Sequence, residues 1–181
     1  GQRRDQLMQS MQDITAQLEG IGAKLRVFRA MERDFESYQR SVRIVMQEAQ
    51  RGALRNIHGP VSRLIRTGDS YAVAIEIALG AAMQQIVVGT EQDGKAAINH
   101  LKRTGAGRAT FLPLNTIQGR QLQENGLENC RGFVGVASNL VTADRQYQGI
   151  VDNLLGRTVI VQDMDAAISM SQKYKNRFKI V

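Results

Sequence analysis

The side chains whose type and spacing permit chemistry are the bases. Residues 51–181 carry sixteen Lys/Arg against ten Asp/Glu, whereas residues 1–50 carry eight against seven. A basic excess of this kind attracts a polyanion. Lys102 and Arg103 close a helical stretch, and Arg108 follows them after a Gly-Ala-Gly turn. Arg51 and Arg55 stand ahead of the globular part. Lys173, Lys175, Arg177 and Lys179 alternate, which predicts four bases along one side of an extended segment. Such groups suit sequence-independent, salt-dependent contact with a phosphate backbone, and no base-reading motif accompanies them. Each also has a plain structural use. Lys102 and Arg103 complement a helix C-terminus ahead of Gly105, and alternating lysines discourage pairing at a sheet edge. Charge alone does not separate the two readings.

Groups for covalent or acid–base catalysis are sparse. Cys130 is the one cysteine, and His58 and His100 are the two histidines. Neither histidine has an evident Cys, Asp or Glu partner in sequence, and no cluster has metal-ligand spacing. Glu76 is a lone acid in an apolar helix, with no second carboxylate placed beside it. The stretch Gly105-Ala106-Gly107-Arg108 lacks the GxxxxGK[ST] pattern and lies between a helix and a strand, the wrong order for a phosphate loop. The expectation is therefore no cofactor, no metal and no enzyme activity. A single cysteine forms no disulfide within one chain and fits a reducing cytoplasm. No apolar run approaches the roughly 20 residues of a membrane span, and no signal peptide opens the chain.

The elements that must position these bases begin with a long helix. Leu7, Met11, Ile14, Leu18, Ile21, Leu25 and Phe28 step by four and three, a heptad seam. The register continues through Glu32, Phe35, Gln39, Val42, Met46 and Ala49, with two polar breaks, and no proline precedes Pro60, so nothing forbids a continuous helix. Gly20 and Gly22 weaken it by about 1 kcal/mol each. So narrow a stripe demands a partner helix, either from a second chain or from a segment outside this one.

The globular part, with 43% apolar and 5% aromatic residues in the whole chain, predicts an aliphatic core. Val61–Ile65 reads as a short strand or helical turn, and Asp69 or Ser70 as the cap of a small-residue helix, Ala72–Met83. A strand at Gln85–Val88, a helix at Ala96–Arg103 and a strand at Arg108–Leu114 follow. Gln118–Arg131 is a polar connection. A second set comprises a glycine-interrupted strand at Gly132–Ala137, a helix at Gln146–Leu155 stopped by Gly156, a strand at Thr158–Val161, a helix at Met164–Lys173 and a final strand at Arg177–Val181.

The order of these motifs carries a resemblance. AIEIALG, QQIVV, LKR and GRATFLPL, preceded by the Asn56-Ile57-His58-Gly59 turn and followed by GFVGVASNLV, NLLGRTVIV and the D-x-D-A-A helix, are similar to the hinge domain of SMC (structural maintenance of chromosomes) proteins of the bacterial type. The resemblance implies an α+β fold: two small mixed lobes behind a coiled-coil helix. The segments would be a coiled-coil arm at 1–50, lobe I at 51–117, an inter-lobe connection at 118–131 and lobe II at 132–181. It implies a homodimer formed through lobe edges, with Gly132, Val134 and Gly135 as candidate interface residues, and His58 as a structural turn residue. It implies sequence-independent DNA contact in chromosome condensation and segregation, a cytoplasmic, nucleoid-associated location, and ATP hydrolysis confined to head domains outside this chain. The family continues past the equivalent of Val181 into a short strand, a glycine-rich segment at the dimer contact and a returning coil strand that would cover the seam. Two other readings stay open: a coiled-coil interaction scaffold that does not act on DNA, and a small α/β enzyme.

Overall fold

The structure is a computed structural model that describes the backbone of every residue but Ser37, and the side chains of residues 1–22 and 38–181. Two compact units result, Gly1–Gln39 and Arg40–Val181. The first is helix α1, Gln2–Glu36. The second opens with α2, Arg40–Gln50. The heptad register predicted one unbroken helix into residue 49, but α2 belongs to the globular unit. Its apolar face is wider than a seam: Ser41, Val42, Val45 and Met46 are all buried. Met46 approaches Gly59, and Ser41 approaches Gly107, so α2 lies across the start of the first sheet and the turn after its last helix.

Lobe I runs β1 (Ile57–Pro60), α3 (Val61–Leu64), β2 (Arg66–Thr67), α4 (Ala72–Leu79), β3 (Ile86–Val88), α5 (Glu91–Thr104) and β4 (Phe111–Pro113). Its sheet has the order β1-β3-β4, antiparallel then parallel. Lobe II runs β5 (Phe133–Val136), β6 (Val141–Thr142), α6 (Gln148–Leu155), β7 (Thr158–Val161), α7 (Met164–Tyr174) and β8 (Lys179–Ile180). Its sheet has the order β5-β7-β8, again antiparallel then parallel.

This is an internal duplication. Residues 57–80 superpose in sequence on 133–156 without a gap: Gly59 on Gly135, Ser62 on Ser138, Leu64 on Leu140, Tyr71 on Tyr147, Leu79 on Leu155 and Gly80 on Gly156. The bulge between Ile57 and Gly59 recurs between Phe133 and Gly135. The hydroxyls of Ser62 and Ser138, both buried, share the absence of a hydrogen-bond partner among the described residues. Thr90 caps α5 by accepting from the Asp93 N–H, and Asp163 caps α7 by accepting from the Ala166 N–H at 2.8 Å. Removing either acceptor strands a helix N–H. We expect Thr90→Ala and Asp163→Ala each to cost about 1 kcal/mol, read as the shift in a urea midpoint at constant slope; a change below measurement error in both would contradict the cap assignment.

The lobes share one core. Val61, Ile75, Leu79, Val87 and Leu112 from lobe I pack with Ala137, Tyr147, Ile150, Leu155 and Ile160 from lobe II. The equivalent strands β2 and β6 pair antiparallel, as an internal two-fold requires. Thr67 Oγ1 donates to Leu140 O at 3.1 Å, and Lys179 Nζ donates to Ala78 O at 3.0 Å. His58 Nδ1 lies 2.7 Å from Tyr147 OH, with the rings edge to face. Burial, then the Asp144 carboxylate, raises the Tyr147 phenol above its ordinary range, so it stays protonated as one half of that bond. A second, smaller cluster of Leu127, Val159, Met170, Tyr174 and Phe178 lies wholly in the second half.

Some local expectations change. Neither Asp69 nor Ser70 caps α4; Tyr71 holds that position with no side-chain bond. The helix also ends at Leu79, because Gly80 leaves helical geometry at φ 52°, and a short 3-10 turn carries the chain to Gln84.

Candidate assembly and nucleic-acid surfaces

On α1 the seam points into solvent. Leu7, Met11, Ile14, Leu18 and Ile21 are between 56% and 68% exposed. Leu25 and Phe28 lie outside the residues whose side chains are described. Covering such a residue is worth about 1.5–3 kcal/mol, so five of them form a strong association surface. Among the described residues nothing covers these five.

The structure brings some predicted bases together and separates others. Lys102 and Arg103 occupy the last turn of α5, both exposed, and Gly105 ends it at φ 61°. Lys102 and Arg108 line one groove of about 590 Å³ together with Ile98 and Leu101. Arg103 is not part of that groove's lining. Arg55 is exposed. Arg51 pairs with Glu48 at 3.2 Å, an exposed bridge that lends it little fixed orientation.

The alternating stripe does not form. Lys173 lies inside α7, with its ammonium 5.5 Å over the Tyr174 ring and 3.9 Å from Cys130 Sγ. Lys175 ends that helix in the left-handed region at φ 55°, followed by Asn176 at φ 57°. Arg177 faces Glu124 at 3.9 Å, and Lys179 is engaged with the Ala78 carbonyl. Period-two spacing requires a strand, and strand geometry begins only at Lys179 because α7 runs on to Tyr174. Lys173 and Lys175 remain exposed bases, but not members of one face.

Of the interface candidates, Val134 and Gly135 sit on β5 and Gly132 in the turn just before it; β5 is an edge strand of the second sheet with all four residues half-exposed. Their glycines have internal reasons. Gly132 turns at φ 78°, and a Cβ there would stand 2.5 Å from that of Ala166. Gly135 lies at the bulge, 3.1 Å from Leu140 by the same construction of a Cβ. Val134 packs against the shared core. The strand edge, rather than the glycines, is what remains available to another strand. β1, β4 and β8 are the other edge strands of the two sheets.

Sequence reasoning missed a polar cleft of about 300 Å³ beside the β2–β6 pair, lined by Arg63, Arg66, Thr142, Asp144 and Tyr147. The signal was the duplication itself, which places Arg66 opposite Thr142. Among the described residues no group of His, Cys, Asp and Glu could hold a metal ion, and no helix is long and apolar enough to cross a membrane.

The sequence thus folds into a duplicated α/β body with edge strands, preceded in the chain by a helix whose seam residues 7–21 are exposed. The comparisons with known proteins give its family. The model of "SMC proteins Flexible Hinge Domain" matches residues 54–171, and the chain belongs to that family. It is similar to Chromosome partition protein Smc of Bacillus subtilis, 40% identical over 162 residues, covering 88% of this chain but 14% of that protein. Among solved structures it resembles an asymmetric dimer of the Geobacillus stearothermophilus SMC hinge domain, with TM-score 0.81 and 39% identity over 88% of this chain and 66% of that one. The Pyrococcus furiosus SMC hinge domain matches with TM-score 0.66 and 30% identity, over 83% of this chain and 75% of that one.

Proposed function

We propose that the chain is the dimerisation hinge of a chromosome-condensation and segregation protein, and that its basic surface contacts DNA without reading sequence. The observation that carries the first part is the family match across both lobes, joined to a fold whose sheet edges stay open. The dimeric Geobacillus relative supports association of two copies. The half-exposed edge at Gly132, Val134 and Gly135 is the candidate contact, acting through its backbone. The α1 seam takes a second helix, from another copy or from a returning strand of the same polypeptide. In this reading the hinge is mechanical, ATP hydrolysis belongs to other parts of the longer protein, and the assembly works at the nucleoid.

The DNA reading rests on Lys102, Arg103 and Arg108 around the α5 terminus, with Arg51, Arg55, Lys173 and Lys175 as outlying bases. The first group clusters: Lys102 and Arg103 are consecutive, and Arg108 shares a groove with Lys102. Binding of a labelled duplex is measured across a salt series. Losing two phosphate contacts in Lys102→Glu/Arg103→Glu flattens the logarithmic salt slope by about 1.8 and weakens binding about tenfold or more near 0.1 M salt. An unchanged slope and affinity in the variant would remove DNA contact from this surface and favour a scaffold that acts on protein partners alone.

A further inference from the structure

After β4 the chain forms a strap, residues 117–122, that crosses α6. Asn153 Nδ2 donates to Gln118 O at 2.9 Å, and the Leu122 N–H donates to Gly156 O at 2.7 Å. Beyond the strap the chain turns at Asn125-Gly126, just ahead of the 3-10 turn Leu127–Asn129. This is the one Asn-Gly pair in the sequence. Such a pair can react with itself. The glycine nitrogen reaches the asparagine side-chain carbon through a five-membered ring, and the missing Cβ leaves its approach unhindered.

The fold leaves this pair open. Asn125 is exposed, and Gly126 sits in the left-handed region at φ 82°. Among the described residues, neither the Asn125 side-chain amide nor the Gly126 N–H has a hydrogen-bond partner. Tyr174 OH donates to Asn125 O at 2.9 Å. That carbonyl and the Gly126 N–H belong to one peptide group, so a donor on the oxygen stabilises the charge left when the nitrogen gives up its proton. Asp93-Gly94 is the one Asp-Gly pair and has the same ring closure available. There the fold closes it. Asp93 Oδ2 accepts from the Thr90 N–H at 3.0 Å and from Thr90 Oγ1 at 2.8 Å, and the Gly94 N–H donates to Thr90 O at 3.2 Å.

We propose that Asn125 is a site of spontaneous deamidation in the folded chain. The Gly126 nitrogen loses its proton and bonds to Asn125 Cγ. The Cγ–Nδ2 bond breaks, and Nδ2 leaves with a proton as ammonia. Water then opens the ring. Addition at Cγ gives aspartate; addition at the main-chain carbonyl carbon gives isoaspartate, with the peptide now running through Cγ. One water enters and one ammonia leaves, with no oxidant or cofactor. Either product adds a carboxylate to a segment that already holds Glu124 and Glu128. The isoaspartyl product also lengthens the main chain by one carbon directly before Leu127, which is buried in the second cluster. The proposal does not depend on dimerisation or on DNA contact.

The test holds the 181-residue chain in neutral buffer and, in parallel, unfolded in guanidinium chloride, and follows both by peptide mass mapping. Native and unfolded chains convert the Asn125 peptide at rates within about threefold of each other, because the fold does not protect it. The conversion appears as a gain of about 1 Da with a second chromatographic peak for the isoaspartyl form. Isomerisation at Asp93 is slower in the native chain by about tenfold or more. In Asn125→Gln the gain disappears, since the longer side chain does not close a five-membered ring. A larger native slowing at Asn125 would overturn the proposal. So would persistence of the gain in Asn125→Gln, or equal native and unfolded rates at Asp93, which would show that hydrogen bonding does not decide which pair reacts.

Discussion

Replacing Gly156 by alanine is expected to destabilise the globular unit by about 3 kcal/mol, near the upper end for an overpacked site. The residue has an ordinary helical backbone, φ −67° and ψ −19°, so its glycine is not explained by left-handed geometry. The reason is contact. An added methyl group would overlap the Arg120 carbonyl of the strap and the Asp152 carbonyl of α6, and both atoms are backbone. Gly119 is the matching small residue on the strap, where a Cβ would stand 2.6 Å from Asn153 N and 2.7 Å from Gly149 O. Gly105→Ala is the comparison: it has left-handed φ 61° but open space, and costs about 1 kcal/mol from conformation alone. Thermal unfolding separates them. Gly156→Ala lowers Tm by roughly 6–12 °C and Gly105→Ala by roughly 2–4 °C. Equal shifts would mean that the strap does not press on α6. Because Gly119 and Gly156 meet at one surface, the double variant is expected to lose less than the sum of the single losses.

The second large effect is on association. Ile14→Asp/Leu18→Asp places two carboxylates in the centre of the α1 seam, where the native side chains are 56% and 64% exposed. If a second helix covers the seam, the change removes at least about 3 kcal/mol of apolar burial, and charges at those positions add a desolvation cost. Association through the seam then weakens by more than about 100-fold. Sedimentation velocity over a concentration series reads this directly. The unfolding midpoint of Arg40–Val181 should not move, since the seam lies in the other compact unit. An unchanged association midpoint would show that α1 contributes nothing to self-association.

Much of this molecule was legible in its sequence, and the gaps have physical causes. β7 matches its expected range at Thr158–Val161, because a continuous β-branched run between Gly156 and a capping Asp163 admits little else. The order of lobe elements was readable for the same reason, with glycines and caps as punctuation. The end of the arm was not. Val42 and Met46 fall in heptad register, but Val45 beside them is wholly buried, and the wider face this makes turns α2 into part of the globular unit. The basic stripe failed because alternation in sequence carries no information on where a helix stops, and α7 stops one residue after Lys173. Gly156 was read as a helix stop and does cap α6, but it also admits a strap thirty-odd residues earlier in the chain, a contact that no local pattern records. The duplication lay in plain view between 57–80 and 133–156, but few positions are identical, and register became evident only when the two bulges and the β2–β6 pairing aligned.

The central claim is that this chain joins to a second copy of itself. Sedimentation equilibrium of the 181-residue chain, over a wide range of loading concentrations, tests it most directly. The account predicts a mass approaching twice the chain's 20.1 kDa as concentration rises, with the seam variant displaced towards higher concentration. A mass of 20.1 kDa at every concentration, both for this chain and for one extended past Val181, would contradict it.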